Sequence, residues 1–335
     1  GSPFNSECTF TNGKEYFHSQ VVDPVEGVVT NLYIGGVELY GDKTSSTIAY
    51  AKTDEDGQVT TQNASESDYN IKWDGETLTL NNANISNLNK SNIEGQFTAI
   101  YCEESLGIEL IGANIIAVAE TGGNDTFGIL AQEDITISGD GRLVTTAHRG
   151  IWAVGNITIS GGTVTAIGES DSTSIGIGAD GDVIITDGTV TATDCLTGIQ
   201  AWNEIAISGG TIIAVRDKMG IQSYYDTTIT DGTITAAGYG AGIDVLIGAI
   251  TISGGTVTAT GDIMGIYVDS GIIISPQSNQ QIAVTVGTDE NSARAIYGSP
   301  FREEIDVNAL VSKALYFHSE TSVRTSSGGG GSSSS

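Results

Sequence analysis

The chain has 335 residues, of which 13 are Lys or Arg and 41 are Asp or Glu, so its formal net charge is −28. No basic stripe is available to displace the counterions of a polyanion, which excludes nucleic acid as a partner. With 39% apolar residues, 16% charged residues and 45 glycines, the composition also excludes a coiled coil and a charge-driven disordered tail. We therefore expect a folded chain.

The cysteine content and the composition bear on the localisation of the protein. Cys8, Cys102 and Cys195 are too few and too scattered for a disulfide framework or a zinc site, and we expect free thiols. No run approaches the roughly 18 to 20 apolar residues of a membrane span, so no span is expected here. An acidic chain rich in Thr, Gly and Asn is typical of extracellular proteins of the bacterial cell surface, which is the localisation we predict.

A short repeat dominates the sequence. ITISGGTVTA at 157–166 returns in close variants at 183–192, 205–214, 227–236 and 250–259. A small residue followed by isoleucine marks a second position in each repeat, most often 22 residues after the previous one. Fixed periods of this length are typical of solenoids. The marked isoleucines are Ile100, Ile129, Ile151, Ile177, Ile199, Ile221, Ile243, Ile266 and Ile296.

Within each repeat, apolar and polar residues alternate with period two, as in strands. Ile157, Ile159, Val164 and Ala166 are expected to face inward. The SGG and TDG triplets provide the positive-φ residue of a tight corner. Successive turns must stack to bury their apolar faces, which predicts an all-β, right-handed parallel β-helix of about nine coils. An antiparallel sandwich also uses short strands but does not predict the 22-residue register.

Both ends of a β-helix need covering, since open strand edges promote aggregation. We expect an N-terminal cap at 21–75, with a type I′ hairpin around Asp74-Gly75, then the β-helix at 76–297 and a C-terminal cap at 298–324. Residues 325–335 are expected to form a Gly/Ser linker or tail.

Two short motifs occur twice. GSPF stands at 1–4 and 298–301, and YFHS at 16–19 and 316–319. Residues 1–20 are therefore interpreted as the tail of a preceding unit, or a tag, plus a cap strand, and the parent protein as an array of tandem copies. His18 and His318 are expected to pack within cap strands.

On two faces of the expected solenoid, the outward positions are almost all Thr or Ser. The outward positions of the face that follows Gly-Ile are more varied. Rings can stack on sugars while amides and carboxylates bond their hydroxyls, so we predict a glycan site on this face; ordinary cross-strand packing is the alternative. Insertions at 120–126 and 169–173 border it, as expected on a solenoid's binding side. The predicted carbohydrate-binding residues are Trp152, Gln200, Trp202, Gln222, Tyr224, Asp244 and Tyr267.

A catalytic interpretation uses the same corner. A lyase needs a base and a cation that stabilises developing negative charge, but the charged residues here show no recognised catalytic spacing. The candidates are His148, Arg149, Asp171, Asp194, Arg216, Asp217, Lys218 and Asp262.

Calcium is the one cofactor that the sequence suggests. Asp180 and Asp182 are the metal candidates, and further oxygen donors are Glu169 with Asp171 and the pair Asn124-Asp125. None matches an EF-hand loop. Ice binding on the Thr ladders is disfavoured because Ile184, Ala206 and Ile213 interrupt them.

The ITISGGTVTA repeat with Gly-Ile, the leader LYIGGVELY at 32–40 and the segment 73–80 resemble bacterial β-helix surface proteins described as carbohydrate-binding-domain-containing, with a pectate-lyase-like architecture. The resemblance implies binding of acidic plant polysaccharides through calcium. The family's Asp before Gly-Ile is absent here, so those calcium ligands do not carry over. Its place is taken by Phe127, Arg149, Ile175, Thr197, Met219, Ala241 and Met264.

These observations predict a non-catalytic adhesin module that binds a polysaccharide or a host or plant glycan. A polysaccharide lyase and a purely structural stalk are the alternatives.

Overall fold

The computed structural model describes residues 30–42, 46–90, 96–118, 125–168, 173–215, 218–311 and 313–324. Strands dominate these residues, and the one short helix described is Asn308–Val311. The stacked parallel strands form a right-handed β-helix, which confirms the predicted fold class.

The strands after Gly-Ile form one parallel sheet, here called sheet 1. Neighbouring strands align isoleucine with isoleucine from Ile100 to Ile266, and all of these side chains are buried. The predicted register is therefore confirmed for eight of the nine marked isoleucines. The strands are Gln96–Cys102, Asp125–Ala131, Arg149–Ala153, Ile175–Ala179, Thr197–Ala201, Met219–Ser223, Ala241–Val245 and Met264–Val268.

Ile296 is the exception. It is buried but lies outside sheet 1, where its backbone N–H donates to Val284 in the antiparallel C-terminal region. The solenoid has about six turns, so the expected nine coils are wrong. Counting these motifs overestimates the turns, because the last one lies among antiparallel strands and the strand of the first one is parallel on one side only, pairing antiparallel with Thr30–Ile34 on the other.

The two halves of each repeat unit form two further parallel faces, sheets 2 and 3. Ile205–Val215 and Thr227–Gly238 continue through the corner and contribute to both faces. The other strands of sheet 2 are Thr77–Asn81, Leu106–Ile111, Ile135–Gly139, Ile157–Ile159, Val183–Ile185, Ala249–Ile252 and Gly271–Ile274. The other strands of sheet 3 are Asn84–Ile85, Ala113–Ala117, Arg142–Thr146, Thr163–Ile167, Thr189–Thr193 and Thr256–Gly261.

The corner and the core follow the predicted pattern. Gly188 has a φ of 92° and Gly232 one of 102°, a region that side chains disfavour. Ile157, Ile159 and Ala166 are completely buried. The second residue of the corner Gly-Gly or Asp-Gly pair therefore turns the chain while its neighbours fill the interior.

A ladder of carboxylates and amides stabilises the corner between sheets 1 and 2. Asp134 Oδ1 accepts from the backbone N of Asn156 at 2.7 Å. Asn156 Oδ1 accepts from the backbone N of Asp182 at 2.8 Å, and Asp182 Oδ1 from that of Glu204 at 3.0 Å. Each coil thus satisfies a backbone donor of the next coil.

Antiparallel strands lie at the N-terminal end. Thr30–Ile34 pairs with Gln96–Cys102 of sheet 1, and Ile71–Trp73 pairs with Thr77–Asn81. Trp73 faces Leu78, which leaves a four-residue loop in which Asp74 accepts from two backbone N–H groups. The predicted hairpin is confirmed, but its type I′ turn is wrong. The remaining strands here are Val37–Gly41, Ala49–Thr53, Val59–Thr60 and Asn89–Lys90.

At the C-terminal end, Tyr316–Val323 pairs antiparallel with Thr256–Gly261 of sheet 3 and with Gln280–Gly287. His318 Nδ1 lies 2.9 Å from Thr258 Oγ1, so its expected packing in a cap strand is confirmed. The other strands are Arg294–Ala295 and Ile305–Asp306. Residues 1–20, with His18, and 325–335 lie outside the described residues, and the array of tandem copies stays a prediction.

Candidate functional site

The predicted ladder on sheet 1 is in register but only partly accessible. Trp152 is 6% exposed and Tyr101 and Leu130 are also buried. With Phe127 they form a small apolar cluster of their own, outside the main core, against which Tyr33 packs. The N-terminal half of this face is therefore a packed layer, in line with the cross-strand alternative.

Trp152 is covered by its own neighbours. The Arg149 guanidinium carbon lies 4.6 Å from the centre of the Trp152 ring and 5.4 Å from that of Phe127, in cation–π geometry. The Trp152 ring also occupies the space in which a Cβ at Gly178 would lie. Trp152 therefore offers little free ring surface to a sugar, because Arg149 and the strand of Gly178 pack against it.

The C-terminal half of the ladder is polar and connected. Gln200 Nε2 donates to Gln222 Oε1 at 3.1 Å, and Gln222 Nε2 donates to Asp244 Oδ2 at 2.7 Å. Tyr267 stands next to Asp244 on the following strand and is 42% exposed. The four predicted residues Gln200, Gln222, Asp244 and Tyr267 therefore form one continuous line across four coils.

Asp244 is the least accessible member of this line, with 2% of its surface exposed. Burial raises the pKa of its carboxyl above the usual 3.8, while the Gln222 hydrogen bond and the charge of Lys218 lower it by less. Burial of a carboxylate costs free energy unless the charge is compensated. This carboxylate is therefore a destabilising feature at neutral pH.

Asp244→Asn is accordingly expected to raise the free energy of unfolding at pH 7. The folded carboxyl binds a proton more readily than the unfolded one, so its unfavourable contribution disappears as the pH falls through the raised pKa towards 3.8. Urea unfolding of both proteins at pH 7 and close to pH 3.8 tests this. A stabilisation that does not shrink at the lower pH would contradict it.

A second line of side chains lies at the end of each sheet 1 strand. Trp202 is 52% exposed, Tyr225 is exposed and Tyr224 half-buried. The rings of Trp202 and Tyr224 are 6.0 Å apart and inclined by 30°, and Tyr225 packs edge-on against Tyr224 at 5.2 Å. We call Trp202, Tyr224 and Tyr225 the aromatic edge. Sequence analysis identified the first two but missed Tyr225, which follows the strand.

A pocket of about 300 Å³ lies on sheet 1, and Leu246 in its lining stands one coil beyond Tyr224 of the aromatic edge. It opens where Ala241 stands between Met219 and Met264 in the column of residues that precede Gly-Ile. A small side chain between two long ones leaves a gap in an otherwise filled column. We call it the Ala241 pocket; its lining residues are Met219, Gly240, Ala241, Asp244, Leu246, Ile263, Met264 and Tyr267.

The catalytic candidates are dispersed or engaged in packing. His148 is buried with its Nε2 2.9 Å from Thr173 Oγ1, and Arg149 stacks on aromatic rings. Asp194, Lys218 and Asp262 are exposed. Asp171, Arg216 and Asp217 lie outside the described residues.

The metal candidates do not form a cluster. Asp182 Oδ1 accepts from the backbone N of Glu204 and from Asn203 Nδ2, which engages it in the corner ladder. Asp180 is exposed, and partial desolvation raises its pKa against the opposing charge of Arg149. Among the residues with described positions, no three His, Cys, Asp or Glu side chains are placed to hold a metal ion. Glu169, Asp171 and Asn124 lie outside those residues.

The thiols play no part in this surface. Cys102 and Cys195 are buried. Burial raises the pKa of Cys102 to about 11. Cys8 lies outside the described residues.

No helix within the described part of the chain is long and apolar enough to cross a membrane. Comparisons of the chain with known protein families, curated proteins and solved structures found no match.

Proposed function

We propose that the chain is a non-catalytic carbohydrate-binding module of an extracellular bacterial adhesin, and that glycans lie along the aromatic edge. The observation that carries this proposal is the pair of exposed Trp202 and half-buried Tyr224 next to the polar line from Gln200 to Asp244. Exposed rings bind the apolar faces of sugars, and hydrogen-bonding groups beside them select hydroxyl or amide substituents.

The charge of the protein narrows the class of glycan. At a net charge of −28, long-range repulsion disfavours an acidic polysaccharide. A neutral glycan avoids this repulsion and needs no bridging cation. The resemblance of the repeats to carbohydrate-binding-domain-containing surface proteins supports the same general role, while the missing Asp before Gly-Ile argues against their calcium-dependent acidic ligands.

The test is a glycan array probed with the wild-type chain and with a double variant, Trp202→Ala with Tyr224→Ala. Binding is expected to fall at least ten-fold, because the double variant removes both rings on which the apolar face of a sugar would rest, and a loss of about 1.4 kcal/mol is enough for that change. Tyr297→Ala is the matched control, since this tyrosine is exposed but lies in the C-terminal region.

The array is run with and without EDTA. Undiminished binding by the double variant would remove the aromatic edge from the proposal. Complete absence of glycan binding by the wild-type chain would favour the structural stalk, and loss of binding in EDTA would restore calcium as a cofactor.

A further inference from the structure

The residues that line the Ala241 pocket restrict the chemical class of its ligand more than the aromatic edge does. Its walls are the side chains of Met219, Met264, Leu246 and Ile263, so most of its surface is apolar. The charged group in its lining is Asp244. An apolar recess with one convergent polar group is the usual form of a small-ligand site.

The Asp244 carboxylate can only accept hydrogen bonds at neutral pH. Its Oδ2 accepts from Gln222, and within the described residues this is the one side-chain hydrogen bond that Asp244 makes. A ligand that brings one N–H or O–H donor to Oδ1 would improve the compensation of this buried charge.

Three kinds of sugar substituent can be compared in this position. A hydroxyl group placed among the methionine and leucine side chains would lose hydrogen bonds to water that these walls cannot replace. An ammonium group would lose even more, and the positive charge of Lys218 already acts on Asp244. An acetamido group combines one N–H donor with a methyl group, which matches one acceptor within apolar walls.

We infer that the Ala241 pocket binds the N-acetyl group of a 2-acetamido sugar, with the amide N–H donating to Asp244 and the methyl group between Met219 and Met264. Tyr267, on the rim and 42% exposed, is placed for the sugar ring. This inference rests on the proposed function, and it names the sugar class that the site selects.

The pocket lies one coil from the aromatic edge. Leu246, in its lining, stands one coil beyond Tyr224 and two beyond Trp202, and backbone hydrogen bonds link these coils. Neighbouring strands lie about 4.8 Å apart, so the pocket and Trp202 are roughly 10 Å apart along the axis. A short oligosaccharide with one N-acetylated residue in the pocket can therefore extend over the aromatic rings.

The experiment is a titration of the full chain, followed by NMR, with methyl glycosides of N-acetylglucosamine and N-acetylgalactosamine. Glucose, galactose and glucosamine serve as comparison ligands. We expect saturable binding of the acetylated sugars, with a Kd in the millimolar range for a single residue, and at least ten-fold weaker binding of the other three. Equal or tighter binding of glucosamine, or of glucose, would overturn the inference.

Two variants locate the site. Ala241→Met gives this position the side chain of its two column neighbours and fills the pocket without altering Asp244; it is expected to weaken binding at least ten-fold. Should that variant fold poorly in a thermal melt, Tyr267→Ala provides the second measurement, because its ring is 42% exposed and its removal is expected to cost less stability than a buried substitution. Unchanged affinity in a folded variant of either kind would overturn the inference.

The outcomes separate this inference from the proposed function. Array binding that depends on Trp202 and Tyr224 but includes no 2-acetamido sugar would overturn the pocket assignment alone. Binding of 2-acetamido sugars that requires Ala241 but survives the double variant would support the pocket and remove the aromatic edge. A chain that binds no glycan would overturn both.

Discussion

Replacement of Trp73 by alanine is expected to lower the free energy of unfolding by about 3 to 5 kcal/mol. Trp73 is 0% exposed and lies on the last antiparallel strand before the solenoid, where it pairs with Ala49 on one side and Leu78 on the other. Its removal leaves a large cavity between the N-terminal strands and the first parallel strand of sheet 2. Urea unfolding followed by circular dichroism measures the loss.

Trp202→Ala is the matched control for this experiment. It removes the same side chain from a position that is 52% exposed, so a change within about 0.5 kcal/mol is expected. Equal losses in the two variants would show that burial does not determine the contribution of tryptophan here. A small loss in both would show that the N-terminal strands do not stabilise the solenoid.

The periodic part of the fold could be predicted because each coil repeats the same physical constraints. An isoleucine such as Ile199 must face inward, a corner glycine such as Gly210 must adopt a positive φ of 80°, and neighbouring coils impose the same register on both. A deviation in one coil would disturb two neighbours. The sequence therefore contains the information many times over, and the positions from Ile100 to Ile266 were predictable.

The ends of the solenoid could not be predicted in the same way. Ile296 follows a small residue like the other marked isoleucines, but it packs in the C-terminal region, among antiparallel strands. A small residue followed by isoleucine indicates a buried position on a strand. It does not indicate which strand pairs with it. The coil count was therefore wrong although the fold class was right.

Side-chain accessibility was the other limit. Alternation correctly placed Trp152 and Trp202 outside the main core, yet the first is buried and the second exposed. The difference comes from Arg149, which stacks on Trp152 from the neighbouring column. A period-two pattern determines the face of a sheet on which a residue lies. Whether that residue is exposed depends on the side chains of neighbouring columns that pack over it.

The Ala241 pocket corresponds to a pattern in the sequence. The residues before Gly-Ile depart from the family pattern, and their sizes vary from Ala241 to Phe127. In a solenoid, equivalent residues of successive coils stack in one column. The size of each side chain relative to those of the coils before and after it therefore determines whether the column is filled. A small residue between two methionines predicts a recess, and this comparison can be made from sequence once the register is known.

Gly198→Ala is expected to lower the free energy of unfolding by about 3 kcal/mol, at the upper end of the cost of overpacking. A Cβ at Gly198 would lie 2.5 Å from the carbonyl oxygen of Gly220 and 3.1 Å from the Cβ of Ala214. The same restriction holds one coil away on either side, where a Cβ at Gly176 would lie 2.7 Å from the oxygen of Gly198 and one at Gly220 2.6 Å from the oxygen of Gly242. One coil cannot move aside without displacing the next, so the structure cannot relax to relieve the clash.

Gly107→Ala, in sheet 2, provides the comparison for that glycine column. Its Cβ would approach the carbonyl oxygen of Glu76 at 3.1 Å, a contact that small movements relieve. The reduced entropy of the unfolded chain offsets the remaining cost by about 0.4 to 1 kcal/mol, so a net change near zero is expected. Urea unfolding of both variants distinguishes the two positions. Similar losses in the two variants would mean that alanine is unfavourable in any strand of this solenoid. Close stacking of the coils would then not explain the glycine at position 198.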